Sequence, residues 1–183
     1  MFLENDLYKI NIMVDSAFKV DSADNKNYDR VFNPFGYTQE DFLKTLSIKI
    51  TSGGVKRRIA LTGSGLCPEL DIAILEESKL IVLMNTELIE FDLDLMIIKE
   101  QRNFDTYCLF SIYPFDDGYI VYGEMEIIKL NKKYEAEWVF MGADIFVLPG
   151  KGNAFTICGD KIVLFDWNGY KYTVGKDGKA IYD

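Results

Sequence analysis

The chain of 183 residues contains 20 lysine and arginine residues, 29 aspartate and glutamate residues and no histidine, which gives a net charge of −9. The lack of an imidazole excludes Ser-His-Asp and Cys-His catalysis, as well as histidine-ligated zinc or haem. The acidic charge disfavours a nucleic acid or an anionic membrane surface as the partner, because each attracts an excess of lysine and arginine.

Composition also indicates the broad class of the protein. Hydrophobic residues make up 49% of the chain, and we expect residues 1–183 to form a single folded domain. Cys67, Cys108 and Cys158 lie far apart without a C-x-x-C pair, which predicts reduced, buried thiols and a cytoplasmic location. The acidic start lacks the basic segment of a signal peptide, and no apolar stretch approaches the ~20 residues that span a membrane.

Residues 1–45 predict an N-terminal strand, a surface loop and a short helix. Apolar residues alternate loosely over residues 1–14, and residues 21–29 are polar without periodicity. Thr38 is a candidate N-cap, because acidic residues follow it in the next turn and the apolar pair Phe42 and Leu43 comes after them. This pattern predicts one short helix near residues 38–45.

Residues 46–183 predict short strands that repeat. A hairpin is expected over residues 46–62, around Gly53 and Gly54. Three hexapeptides that start at Glu87, Glu126 and Lys161 align at offsets of 39 and then 35 residues. With the strand-like runs around them they define copies at about 71–100, 108–142 and 144–175. A four-stranded unit with this period is typical of a β-propeller blade.

The predicted fold class is therefore all-β. Three four-stranded antiparallel meanders would stack as a small β-propeller-like domain or as an open arc. A fourth meander can be assembled from the strand at residues 8–14, the hairpin at residues 46–62 and a C-terminal strand at residues 179–182. Joining the two ends of the chain in one sheet would hide free strand edges and close the ring. The competing arrangement is an open arc or a sandwich of hairpins.

The middle copy carries the pattern of a known family. Residues 117–123 read DGYIVYG, residues 127–131 read IIKLN, and residues 137–142 read EWVFMG. This pattern, clearest at residues 116–142, resembles the repeat of quinoprotein-type (PQQ-like) β-propellers. The resemblance implies that Trp138 locks neighbouring repeats together. It implies no quinone, because a closed quinoprotein ring needs several more blades, and we predict no cofactor.

Candidate catalytic groups are carboxylates, whose pattern favours structural roles. Asp116 and Asp117 precede a glycine, as in a turn, although paired carboxylates held ~5–9 Å apart could hydrolyse a glycoside. Glu124 and Glu126 alternate on one strand face, which is either solvated or part of an acidic interface. We therefore predict no catalytic residue.

Metal-binding and basic motifs are weak as well. The spacing of Asn25, Asn27 and Asp29 matches the first ligands of a calcium loop, but the next residue is arginine and the twelfth-position glutamate is missing, so we predict no metal site. Residues 56–58, with the sequence KRR, are the one basic cluster, which we interpret as a solvated strand edge.

These features favour a non-catalytic cytoplasmic binding protein with acidic β-surfaces. One version is an antitoxin or immunity-type protein that masks a basic protein partner, since acidic charge accelerates such association. Its candidate binding residues are Asp116, Asp117, Glu124, Glu126 and Trp167. The alternatives are a carbohydrate- or small-molecule-binding module, an Asp/Glu-dependent hydrolase, and a structural homo-oligomer.

Overall fold

The computed structural model describes residues 1–25, 28–65, 71–150 and 152–181, and these contain strands but no helix. No helix in these ranges is therefore long and apolar enough to cross a membrane. Sheet A has the spatial order β1-β2-β4-β5-β3, with β1 (Phe2–Glu4), β2 (Lys9–Val14), β3 (Arg30–Phe32), β4 (Leu43–Ser52) and β5 (Val55–Ser64). Within it, β3 runs parallel to β5, and the other pairs are antiparallel.

The remaining strands form three antiparallel meanders in chain order. Sheet B contains β6 (Ala73–Glu76), β7 (Lys79–Met84), β8 (Glu87–Asp92) and β9 (Ile97–Asn103). Sheet C contains β10 (Leu109–Phe115), β11 (Gly118–Gly123), β12 (Glu126–Leu130) and β13 (Ala136–Met141). Sheet D contains β14 (Phe155–Cys158), β15 (Lys161–Phe165) and β16 (Lys171–Gly175). Sheets B and C confirm two of the predicted four-stranded repeats.

The chain divides into two compact units. The first consists of Met1–Pro68 and Ala73–Phe104 and holds sheets A and B, and the second consists of Glu69–Ile72 and Asp105–Asp183 and holds sheets C and D. In each unit a strand of a meander is buried along nearly its whole length, β7 in the first and β11 in the second. Such strands need apolar cover on both faces of their sheet. The single domain over residues 1–183 stays a prediction.

The helix expected near residues 38–45 is absent, and this prediction is wrong. Asp41 accepts hydrogen bonds from the backbone N–H and the hydroxyl of Thr38, so the residues that predicted a helix N-terminus form a single turn. From Leu43 onward the chain forms β4, which pairs with β2 on one side and β5 on the other. Two long ladders of hydrogen bonds therefore override a short helical signal.

The third repeat has three strands rather than four. The copy predicted at residues 144–175 begins with residues 144–149, where a four-stranded unit needs its first strand, but the structure shows no strand pairing for these residues. Instead Phe146 is fully buried, its N–H donates to the Glu124 carbonyl, and its ring packs with those of Phe140 and Tyr172. This segment is held by buried aromatic packing instead of strand pairing.

The C-terminal segment does not complete sheet A. Ala180 pairs with Val174, and the Ile181 N–H donates to the Thr173 carbonyl, so the segment extends sheet D as far as residue 181. The expected strand at residues 179–182 reaches beyond the described residues. The predicted joining of both chain ends in one sheet is wrong for the described part, and closure of a ring stays a prediction.

Trp138 links neighbouring repeats, as the family resemblance implied. It lies on β13 of sheet C, and its indole N–H donates to the Lys176 carbonyl at 2.9 Å, in the turn after β16 of sheet D. Gly178 lies against the indole, where an added Cβ would come within 2.7 Å of the ring. The contact thus needs both a tryptophan and a residue without a side chain.

We expect Gly178→Ala to destabilise the protein by about 2–3 kcal/mol, because it combines left-handed strain with displacement of the Trp138 ring. Gly178 has φ +76°, and Gly159 has φ +64° but no atom within 4 Å of an added Cβ. Gly159→Ala is therefore the matched control and should cost about 1 kcal/mol, from strain alone. Urea unfolding measures both variants, and equal losses would contradict the packing role of Gly178.

Candidate functional site

A basic groove of about 560 Å³ lies on the exposed face of sheet A. The opposite face of the same strands is buried, with Ile10, Ile48 and Ile59 turned into the core of the unit. Alternation along β2, β4 and β5 therefore directs the polar residues of these strands to the groove. The cations of this face that line the groove are Lys9, Lys49, Lys56 and Arg58. Arg57 also lines it, although its pairing with Ile50 places it on the opposite face of β5.

Strand pairing places the groove residues in two rows. Phe2 of β1 pairs with Asn11, which pairs with Lys49, which in turn pairs with Arg58. The second row runs from Lys9 through Thr51 to Lys56. Neighbours within a row are about 4.8 Å apart, and the rows are separated by about 7 Å, the distance between residues i and i+2 of a strand.

The β4–β5 hairpin fixes this arrangement. Its two-residue loop consists of Gly53 and Gly54, both with positive φ, and Ser52 pairs directly with Val55. A loop of this kind matches the twist of the strands and sets their register. The register then extends without a break from Ser52 to Leu43 on β4, so Lys49 and Thr51 are held opposite Arg58 and Lys56.

The groove carries more positive than negative charge. Among the described residues that line it, Asp29 is the single carboxylate, and it accepts a hydrogen bond from the Arg58 backbone N–H at 2.6 Å. Lys9 forms a salt bridge with Glu4 at 2.6 Å. Among the described residues, no salt bridge involves Lys49 or Lys56. These like charges lie together in a chain whose net charge is negative.

A smaller pocket of about 210 Å³ adjoins the same hairpin, and Arg57 and Ile50 line both cavities. Within it the Tyr8 hydroxyl donates a hydrogen bond to Asp94. Burial, together with this hydrogen bond and the Asp94 charge, raises the pKa of Tyr8 to about 12. The phenol therefore stays protonated near neutral pH and acts as a hydrogen-bond donor rather than as a base.

The acidic residues predicted as a binding site are dispersed. Asp116 and Asp117 lie in the turn before β11, and Glu124 and Glu126 follow its other end, roughly 20 Å away along the strand. Asp117 is bound by Lys129, and Glu126 accepts a hydrogen bond from Thr106. Two of these four carboxylates thus have structural partners.

Trp167 lies in a turn whose backbone is linked to the segment that carries Glu124. It occupies the turn between β15 and β16, and its ring is half exposed, with 48% of the residue accessible. The backbone N–H of Trp167 donates to the Ile145 carbonyl, and the backbone N–H of the adjacent Phe146 donates to the Glu124 carbonyl. Backbone hydrogen bonds through Ile145 and Phe146 therefore connect the segments that carry Trp167 and Glu124.

Lys129 forms a buried ion-pair network in sheet C. Its side chain is 2% exposed, and Nζ lies 3.0 Å from Asp117 Oδ1 and 2.9 Å from Glu137 Oε2. Glu137 reaches the lysine because a bulge interrupts the β12–β13 register beside it. Burial lowers the pKa of Lys129, but hydrogen bonds and charge from the two carboxylates outweigh it and raise the pKa overall. Gly118 leaves room for the Lys129 ammonium, since a Cβ added at this position would lie 2.8 Å from Nζ.

Glu87 forms a second buried network, in the first unit. Its carboxylate accepts hydrogen bonds from the Tyr37 hydroxyl at 2.6 Å and from the Ser64 N–H at 3.0 Å. Asn85 donates to the Ser64 hydroxyl at 3.1 Å. Burial raises the pKa of Glu87 despite both hydrogen bonds, which lower it. The network attaches the segment before β4 to the ends of β5 and β7.

Cys108 and Cys158 differ from the prediction of reduced, buried thiols. Cys108 is disulfide-bonded, and Cys158 of β14 is a free, exposed thiol, whereas Cys67 lies outside the described residues. Within the described ranges no group of three cysteine or acidic residues is placed to hold a metal ion. Of the calcium-like triplet, Asn27 lies outside these ranges, and Asp29 is part of the basic groove.

No protein-family model and no curated protein matches the chain. Among solved structures it is similar to BamB from Moraxella catarrhalis, with 12% identity and a TM-score of 0.47 over 86% of this chain and 51% of that one. It is also similar to KlHsv2 with loop 6CD replaced by a Gly-Ser linker (9% identity, TM-score 0.45, 76% and 46% coverage) and to Kluyvelomyces marxianus Hsv2 (10%, 0.43, 76% and 44%). The chain spans about half the length of these β-propellers. With TM-scores below 0.5, the likeness carries no argument about this chain.

The sequence did not single out Phe2, Lys9 or Lys49 as functional residues. One pattern in the sequence could have indicated them: in KINI and SIKI, lysine or another polar residue alternates with isoleucine, so the polar side chains of each strand share one face. Only the pairing of β2 with β4 and of β4 with β5 shows that these positions share a face with residues 56 and 58.

Proposed function

We propose that this protein is a non-catalytic binding protein and that the basic groove of sheet A is its binding surface for an anionic partner. One observation carries the proposal: four cations on one face of sheet A line a single groove of a chain with net charge −9. Like charges this close repel each other, and a bound anion would relieve that repulsion. A local concentration of one charge also steers an oppositely charged ligand.

The scaffold suits binding without large rearrangement. Lys49, Lys56 and Arg58 project from a paired hairpin that continues into the buried core of the unit. Side chains on paired strands are held more precisely than those on loops, which lowers the entropy lost when a ligand binds.

The alternative hypothesis, an antitoxin or immunity-type protein that binds a basic partner, involves the acidic residues and Trp167 instead of the basic groove. Exposure of Asp116 and half exposure of Trp167 favour it. Dispersal of the four carboxylates and the internal partners of Asp117 and Glu126 weigh against it. The ion pair of Asp117 with Lys129 likewise weakens the proposal of an Asp/Glu-dependent hydrolase, because it gives one carboxylate of the Asp116–Asp117 pair a structural partner.

The test compares probes of opposite charge. At low ionic strength, calorimetric titration of the full chain should show binding of inorganic pyrophosphate and of an oligoglutamate peptide but not of oligolysine. Lys49→Glu with Arg58→Glu should weaken anion binding more than about tenfold, since each charge-assisted contact contributes about 1.5–3 kcal/mol. Lys161→Glu, an exposed reversal on β15, is the matched control.

Unchanged anion affinity in the double variant would overturn the proposal, as would a lack of anion binding in the unmodified protein. Binding of oligolysine alone would instead support the acidic surface and a basic partner.

A further inference from the structure

An exposed aromatic ring lies at one end of the basic groove. Phe2 is 61% exposed although it belongs to β1 and pairs with Asn11. A phenylalanine in a paired strand usually packs against its neighbours, because exposure of its ring to water is unfavourable. This ring is therefore available to a ligand that already contacts the cations of the groove.

The two rows provide complementary contacts at a defined spacing. From Phe2 the first row continues through Asn11 to Lys49, about 10 Å away, and then to Arg58. Lys56 lies beside Arg58 in the second row. A flat ring stacked on Phe2 thus has a polar amide next to it and cations beyond, in the order of base, sugar and phosphates in a nucleotide.

Long-range charge favours a compact ligand over a polymer. Outside the groove the chain is acidic, and the repulsion between like charges is screened only beyond about 8 Å at physiological ionic strength. A nucleic acid strand that extended past the groove would meet this repulsion, whereas a ligand confined to the groove would not. A volume of about 560 Å³ lies within the usual range for small-molecule sites.

We propose that the groove binds a nucleotide-sized phosphate ester whose aromatic ring stacks on Phe2 and whose phosphates contact Lys49, Lys56 and Arg58. This inference rests on the proposed function and names the ligand class of the same groove. Asn11, which lies between Phe2 and Lys49, provides a hydrogen bond to the sugar or the base edge, and Thr51, which lies between Lys9 and Lys56, provides one to the phosphates. The groove contacts both the ring and the phosphates, so a ligand that carries only one of them binds more weakly than a ligand that carries both.

The test separates the ring from the charge. Calorimetric titration at low ionic strength compares ADP, inorganic pyrophosphate, adenosine and a ten-residue oligothymidylate. ADP should bind about tenfold more tightly than pyrophosphate, in line with the contribution of one stacked base, and adenosine should bind most weakly. Increasing salt should weaken ADP and pyrophosphate together.

The variants assign the effect to residues. Phe2→Ala should weaken ADP about tenfold and leave pyrophosphate unchanged, whereas Phe2→Tyr should retain the ADP affinity because it keeps a stacking ring. Phe42→Ala is the matched control, since Phe42 is also exposed but does not line the groove. Thermal unfolding of each variant without ligand checks that the fold is retained.

Equal affinity for ADP and pyrophosphate, or an unchanged ADP affinity in Phe2→Ala, would overturn the ligand class while leaving the anion-binding function intact. Much tighter binding of the oligothymidylate than of ADP would overturn the compact ligand in favour of a strand. Failure of every anion to bind would overturn the proposed function itself.

Discussion

Replacing both Asp117 and Glu137 by alanine is expected to lower the free energy of unfolding by about 3–5 kcal/mol, because it leaves the Lys129 ammonium buried without a counter-charge. The ammonium cannot easily reach water, since its side chain is 2% exposed. The carboxylates differ, with 78% of Asp117 and 41% of Glu137 accessible, so they can be hydrated when the lysine is removed. The network is therefore asymmetric.

Lys129→Met is the control that exposes this asymmetry. A methionine of similar length leaves no buried charge, and we expect its unfolding free energy to lie within about 1 kcal/mol of the unmodified protein. In the Asp117→Ala, Glu137→Ala background, Lys129→Met should restore most of the lost stability. Urea unfolding of the four proteins forms a mutant cycle. A loss in Lys129→Met as large as in the double variant would contradict the buried-charge explanation.

The same network adds a pH dependence to stability. The hydrogen bond and the charge of Lys129 hold the pKa of Asp117 below its usual value, so the folded state binds this proton less readily than the unfolded state. Its contribution is present above the unfolded pKa of about 3.9 and is lost as pH falls through the lower folded value. In Lys129→Met, the free energy of unfolding should therefore fall less steeply as the pH drops below about 4.

Replacing Glu87 by alanine is the second substitution with a large expected effect, a loss of about 3 kcal/mol. It leaves the buried Ser64 N–H and the Tyr37 hydroxyl without their acceptor, and each unsatisfied group costs about 1–3 kcal/mol. Glu87→Gln is the matched control, because its amide oxygen can accept from Ser64 while its NH₂ donates to Tyr37. We expect this variant to stay within about 1 kcal/mol of the unmodified protein.

The glutamine variant also tests the protonation of Glu87. Burial raises the pKa of this carboxyl, so the folded state binds the proton more readily than the unfolded state. Its contribution to stability is complete below the unfolded pKa and is lost as pH rises through the folded value. The free energy of unfolding, measured from pH 4 to pH 8, should therefore change less with pH in Glu87→Gln than in the unmodified protein. An identical pH dependence in the two proteins would contradict a raised pKa of Glu87.

The two buried networks and the basic groove affect different properties of the protein. Lys129 and Glu87 are engaged by their own units and are expected to affect stability, whereas Lys49 and Arg58 lie on an exposed face and are expected to affect binding. Measuring stability and anion affinity on the same variants separates these roles.

The sequence by itself determined the all-β class and most of the repeats. Alternation and turn residues suffice here because a meander pairs strands that are neighbours in the chain. Asn85 and Gly159 each begin the two-residue turn of a hairpin, β7–β8 and β14–β15, with the positive φ that such turns require. The role of Trp138 could likewise be read from a local motif.

Only the tertiary structure decided the rest, because it depends on contacts between distant parts of the chain. Strand pairing on both sides turned residues 43–52 into β4 instead of a helix, and aromatic packing around Phe146 replaced an expected strand. The basic groove depends on three strands that begin at residues 9, 43 and 55. Its charges are scattered in an acidic sequence, and the register of sheet A brings them to one face.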